Sequence, residues 1–323
     1  MTDVLDLEVA LAALQRDYSK LKPRIRSLDH TVTCDCSGVT LRLHFPAFRQ
    51  GQATVHELIN VISQFLTAFA MPRKEVSAVS ALYGNVCEDD FIARYTALSE
   101  AAKNLFKRAN EATNRNGEAG ELLLYLLTEW ILGAPQIIAK MSLKTNREMP
   151  VHGADGIHAK FCQESGKIFL YWGESKLYSN ITAAISSAVD SISESLDPEK
   201  MQHEIDLVQR NIDFSGLNGS AREAFLRYLD PFDESYNDRD DITTCLIGFD
   251  FKAFAAITPA DATKAEEKFI ILAQKELKEI APKLAQKLHE AGLGGRPIEI
   301  FFFPVPSVQE FRDLFQAKIG WKK

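Results

Sequence analysis

The chain has no proline- or glycine-rich tract and no internal repeat: 12 prolines and 17 glycines are scattered over 323 residues. That excludes a disordered linker protein and a solenoid. Long hydrophobic runs are missing too. The longest, "LLLYLLTEWIL", is interrupted by Thr128 and Glu129 and is shorter than the roughly 20 residues a bilayer demands, so it reads as a buried helix. The opening "MTDVLDLEVA" carries acids where a secretory signal has a basic and then an apolar start. Cysteine is scarce, five at irregular spacings, which suits free thiols in a reducing, cytoplasmic setting better than a disulfide framework. Positive charge is not in excess either. With a formal net charge of -7, any nucleic-acid binding is local or assisted by a partner.

What is present is globular: 46% hydrophobic and 25% charged residues, enough for one large domain or two ordinary ones. Periodicity predicts a helix over 5–20, strands over 31–35 and 38–45, and helices over 54–70 and 89–113. Leu58, Ile59, Ile62, Phe65, Leu66 and Phe69 form a helical stripe that belongs to a core. "NRNGEAG", residues 114–120, is a polar break, dividing an amino-terminal α/β module (1–115) from the remainder (116–323). Beyond it the pattern predicts a helix over 118–132, a strand over 137–144, a hairpin of 154–162 and 167–176, and a helix over 180–196. Strands follow at 242–251 and 298–303 around a long helix at 261–290. Interleaved helices and strands define an α/β class. The acidic stretch "DPFDESYNDRDD", 230–241, reads as a solvated loop.

The sharpest feature is "YWGESKLY", residues 171–178. In an extended chain Ile168, Leu170, Trp172, Glu174, Lys176 and Tyr178 share a face, so an apolar side runs straight into two charges. Burying ionised groups is costly unless they are paired or bound to a metal. If "QESG", 163–166, is a four-residue turn, Cys162 pairs with Lys167 and paired positions sum to 329. Asp155, on the face of Ile157, Ala159 and Phe161, then lies opposite Glu174. Like charges directly across a ladder are destabilising, so something positive belongs between them: Lys176, or a divalent cation held by carboxylates and water. A third acid, Glu121, or Glu118 one turn earlier, is offered by the preceding helix, although an acid in a first turn also suits the helix dipole.

Other residues divide between site and scaffold. His152 precedes the Asp155 strand, and Tyr178 shares the Glu174 face; both are supporting candidates. His158 alternates to the face opposite Asp155 and reads as a buried hydrogen-bonding group. Lys144 and Arg147 in "SLKTNR" are candidate phosphate contacts, with solvated charge as the alternative; Lys103, Lys107 and Arg108 read as a solvated face. His30, Cys34, Cys36 and His44 lack the paired spacing of a zinc site, and "GLGG", 292–295, reads as a helix stop before a strand.

Helix Glu, then Asp, then Glu-x-Lys on the next strand is the order of the PD-(D/E)xK nucleases, here Glu121, Asp155 and "ESK" at 174–176. The wider wording "PVHGADGIHAKF" followed by "YWGESKLY" resembles the HamA family, effector nucleases of the bacterial Hachiman anti-phage defence system. The similarity runs from the Glu118 helix to the last strand, with Ala154 where the superfamily motif has Pro. The resemblance implies a restriction-endonuclease-like core, a mixed sheet flanked by helices, in a bacterial cytoplasmic protein. It implies Asp155 and Glu174 as ligands of Mg²⁺, with Mn²⁺ as a substitute, Lys176 orienting the attacking water, and Glu121 as an outer acid. It also implies a HamB-like helicase partner that restrains the nuclease or loads it on DNA. The amino-terminal module, 1–115, is a candidate partner-binding or regulatory region. A non-cutting adaptor on the same fold and a toxic RNase are the rival readings.

Overall fold

The strands expected over 38–45, 154–162, 167–176, 242–251 and 298–303 form, near those bounds, and join one mixed sheet. A computed structural model describes residues 2–28, 34–113, 117–144, 153–214 and 219–321. Helix α1 (Thr2–Ala13) leads to β1 (Ile25–Leu28) and β2 (Val39–Pro46), then to a two-residue-strand hairpin of β3 (Phe48–Arg49) and β4 (Gln52–Ala53). Helices α2 (Val55–Ile62), α3 (Leu66–Ala70), α4 (Arg73–Ser80), α5 (Glu88–Thr113) and α6 (Glu118–Leu132) follow. Next come β5 (Gln136–Ile138), α7 (Lys140–Lys144), β6 (Gly156–Cys162), β7 (Lys167–Tyr178), α8 (Ile181–Ser195), α9 (Pro198–Asn211) and α10 (Gly219–Arg227). The chain closes with β8 (Arg239–Asp250), α11 (Ala265–Glu290), β9 (Ile298–Val305) and α12 (Val308–Ile319).

The seven-stranded sheet has the order β1-β2-β9-β8-β7-β6-β5. β2, β9, β8 and β7 run parallel, with antiparallel β1 at one edge and the antiparallel β6 and β5 at the other. Parallel strands are covered on both faces, and so they are here. On one face Tyr171, Leu177, Leu246, Phe301 and Phe303 pack against α2, α3, α5, α6 and α12. On the other, Cys245, Ile247, Phe249, Ile300 and Phe302 meet α8 and α11, while Ile157, Ala159, Leu170 and Trp172 meet α1, α9 and α10. The stripe of Leu58, Ile59, Ile62, Leu66 and Phe69 is buried as its spacing predicts.

The segment before residue 115 contributes β1 and β2 to this same sheet and α2, α3 and α5 to the core beneath α6. Glu129, the acid inside the long apolar run, is buried and accepts hydrogen bonds from the Tyr18 hydroxyl, the Gln136 N–H and Arg73. It ties the amino-terminal segment to the turn before β5.

Departures from the pattern have local causes. The strand expected over 137–144 stops at Ile138, and α7 takes its place. Lys140 turns inward to a bidentate ion pair with Glu204 of α9, at 2.9 and 2.8 Å, both side chains almost fully buried. The helix expected over 5–20 ends at Ala13; further on, the Asp17 carboxylate accepts from the Ser19 N–H and hydroxyl and starts a separate 3-10 turn. The strand expected over 31–35 falls largely outside the described residues, and Cys34 and Cys36 stand in irregular chain before β2. All five cysteines are free thiols. The acidic stretch 230–241 is not wholly loop: β8 begins at Arg239, Asp240 pairs with Lys167, and Asp241 accepts from the Trp172 indole N–H at 2.9 Å.

Candidate active site

The hairpin has the register that the turn predicts. Cys162 pairs with Lys167, and the ladder runs back to Gly156 opposite Gly173, every pair summing to 329. One step further stand Asp155 and Glu174. β6 has ended there, and the Asp155 N–H donates to the Gly173 carbonyl at 2.6 Å. The glycine pair allows this close approach: a Cβ on Gly173 would meet Leu124 of α6 at 3.1 Å and the Gly156 backbone at 3.2 Å.

Where the strand stops, the Asp155 side chain continues its work. Oδ2 accepts from both the N–H and the hydroxyl of Ser175, each at 2.9 Å. Two donors on one oxygen fix the carboxylate against β7. Glu174 and Lys176, on the Trp172 face, are 13% and 19% exposed, and the Lys176 ammonium lies 2.5 Å from Glu174 Oε1. Burial and the nearby Asp155 charge raise the Glu174 carboxyl above its ordinary range, against the opposing pull of Lys176 and of the Ser191 hydroxyl on α8. Burial pulls the Lys176 ammonium down, but Glu174, by charge and hydrogen bond, and Asp155 outweigh it and hold the pKa above the usual lysine value. Cys245 faces Glu174 across the β7–β8 ladder, and burial plus the two acids push its thiol far up, so it stays neutral.

Tyr178 lies at the open end of β7, 40% exposed, with its hydroxyl 3.1 Å from Ser187 Oγ of α8. Glu118 and Glu121 sit in the first turn of α6, which packs on the opposite face of β7: a Cβ on Gly120 would lie 3.1 Å from Leu177 and 3.3 Å from the Ser175 hydroxyl. The helix that carries both acids therefore lies on the other side of the strand, with Gly120 beside the serine that holds Asp155. Burial lowers the Arg312 guanidinium's pKa from its usual value, against the opposing pull of Tyr178 and of the buried Glu118. Arg312 of α12 donates to the Leu177 carbonyl at 2.7 Å, gripping the end of β7 between Lys176 and Tyr178.

His158 is buried and not a ligand: its Nδ1 donates to the Ala134 carbonyl at 2.9 Å, and desolvation holds its pKa down at about 4. His152 and Arg147 lie outside the described residues, as does the side chain of Lys144, the last residue of α7. Among the described residues no three His, Cys, Asp or Glu side chains converge as a ready-made metal cage. Spacing did not single out Ser175, Ser191, Cys245 or Arg312. Ser175 alternates to the face opposite Glu174, and its only signal was its place inside "ESK"; the others come from elements distant in sequence.

A mixed sheet flanked by helices, with two acids and a lysine gathered where an antiparallel hairpin adjoins parallel strands, defines an α/β protein with a restriction-endonuclease-like core. The family comparison is narrower. The HamA family model matches residues 24–319, nearly the whole chain and well into its amino-terminal third, and the chain belongs to the HamA family. No curated protein matches it.

Proposed function

We propose that this chain is a metal-dependent DNA nuclease, the effector of a Hachiman-type anti-phage defence complex that works with a HamB-like helicase. The observation that carries the reading is the Glu174–Lys176 pair at the end of the β6–β7 hairpin, with Asp155 tied to Ser175 between them and near enough for its charge to act on both. The donor set fits Mg²⁺. A hard cation that keeps several waters is held by one or two carboxylates and needs no all-protein cage, and a carboxylate made reluctant to ionise by a second acid gains from a positive neighbour. Asp155 and Glu174 would hold the ion, which when bound polarises a phosphoryl oxygen and makes water a better nucleophile at neutral pH.

The chain's own groups have separable parts. Ser175 orients Asp155 through two hydrogen bonds, leaving the carboxylate little rotational freedom. Lys176, protonated at neutral pH, supplies a compact positive charge for the developing phosphate charge and releases Glu174 as it swings toward substrate. Glu121, in the first turn of α6, serves as an outer acid. Tyr178, at the exposed end of β7, borders the path of a bound backbone. The acidic whole, at net charge -7, binds DNA weakly by itself, which favours loading by a partner. An adaptor that never cuts has no use for two acids and a lysine held in a partly buried cluster, and this disfavours the first rival.

The test is cleavage of plasmid DNA and of RNA by the purified protein, with and without the adjoining helicase gene's product, in Mg²⁺ or chelator. DNA cutting that requires Mg²⁺ and drops at least ~100-fold in Lys176→Ala supports the reading. Cutting retained by that variant removes the assigned mechanism, and cutting of RNA alone selects the RNase reading.

A further inference from the structure

Helices α4 and α5 carry a surface that the candidate active site does not use. From residue 72 to residue 97 no side chain is buried; Met71 on one side and Leu98 on the other are the nearest that are. The second half of α5 is conventional, with Leu98, Ala102 and Phe106 in the core. At helical spacing the same stripe continues outward through Tyr95, which is exposed, and Phe91, which is half-buried against Tyr83. Tyr83 is 77% exposed, Ile92 58% and Tyr95 55%. The rings are ordered against each other: Phe91 meets Tyr83 edge-on at 5.4 Å and stacks on Tyr95 at 6.3 Å. Short helices without a buried face are marginal in water, and a contiguous exposed apolar patch on a soluble domain marks an interaction site.

The charge around the patch selects the occupant. Glu88, Asp89 and Asp90 open α5 beside the rings, against a single Arg94. Exposed rings alone would also suit stacked bases, but a single-strand platform pairs its aromatics with a positive groove, and three carboxylates repel phosphates. A second copy of the chain fits poorly, because each copy would bring the same three carboxylates, Glu88, Asp89 and Asp90, to the shared contact. We infer that the α4–α5 arm is a protein-docking surface whose partner presents an apolar groove edged by lysine or arginine, with Tyr83, Ile92 and Tyr95 as the anchors. Aromatic anchors ringed by complementary charge are the usual centre of such interfaces.

The inference rests on the reading that the protein works with a helicase subunit, because that subunit, the product of the adjoining gene, is the probe. Hydrogen exchange of the full chain is measured alone, with the helicase, and with single-stranded DNA. Slowed exchange over 79–95 with the helicase only is expected, and Ile92→Glu with Tyr95→Ser should weaken the complex at least ~10-fold while the thermal midpoint and the circular dichroism of the free protein stay unchanged. A helicase complex in which 79–95 exchanges as in the free chain overturns the docking surface and leaves the defence-complex reading standing. Protection by DNA, or a concentration-dependent dimer that the double variant abolishes, overturns it in favour of those occupants. Absence of any helicase complex overturns both.

Discussion

At the scale of single residues, the site is a contest between burial and charge. Asp155→Asn keeps the Ser175 contacts possible but removes one of two proposed ligand charges, so calorimetry should register Mg²⁺ uptake by the parent and none by the variant. Addition of Mg²⁺ should raise the thermal midpoint of the parent and leave that of Glu174→Gln in place. Ser175→Ala removes one of the two donors to Asp155 Oδ2 and keeps the backbone one. A hydrogen bond to a charged group contributes about 1.5–3 kcal/mol, so that variant should stay folded and cut about tenfold more slowly. His158 carries a pH dependence of its own. Its folded pKa of about 4 lies below the ordinary 6.5, so its contribution is fully present above pH 6.5 and is lost as pH falls toward 4. That is roughly 3 kcal/mol across the window, and denaturant titrations of His158→Phe over the same range should show a shallower fall.

At the scale of elements, the hairpin and α6 were legible because their signals are local. The turn residues set the register, alternation set the faces, and α6 spans Glu118–Leu132 as its apolar run predicts. α7 was not legible, because its cause is Glu204, 64 residues from Lys140. That pair also seats the chain ahead of Asp155: Gly153, at φ +121°, packs so close to the Glu204 carboxylate that a Cβ there would overlap it. Lys140→Met leaves Glu204 buried without its ammonium and should cost about 3–5 kcal/mol in chemical denaturation. Lys140→Met combined with Glu204→Leu should regain much of that, since removing both charges also removes the desolvation penalty. Helices α4, α9, α10 and α12 gave weaker signals, and α4 has no fully buried residue, Val76 and Val79 reaching the core only in part.

At the scale of the molecule, the sheet runs through both halves of the chain. β2 pairs with β9 over five positions, and α2, α3 and α5 cover the leucines of α6. A chain beginning at residue 117 would expose the β9 edge and that leucine face together, and an open apolar edge strand invites association. It should aggregate or lack cooperative unfolding on size exclusion and thermal melting. A stable, monomeric fragment would instead favour the amino-terminal segment as a separate module.

Residue order alone determined the α/β class, the turn at "QESG" and the hairpin register that runs back to Gly156 opposite Gly173, because each depends on neighbours within a few positions or on strict alternation along one strand. Tertiary structure decided on which side of β7 α6 lies, that Ser175 and not a longer strand holds Asp155, that Arg312 grips the end of β7, and that α5 buries no side chain fully before Leu98. Those outcomes depend on which distant surfaces meet, and contacts between residues far apart in the chain leave no period in the sequence to read.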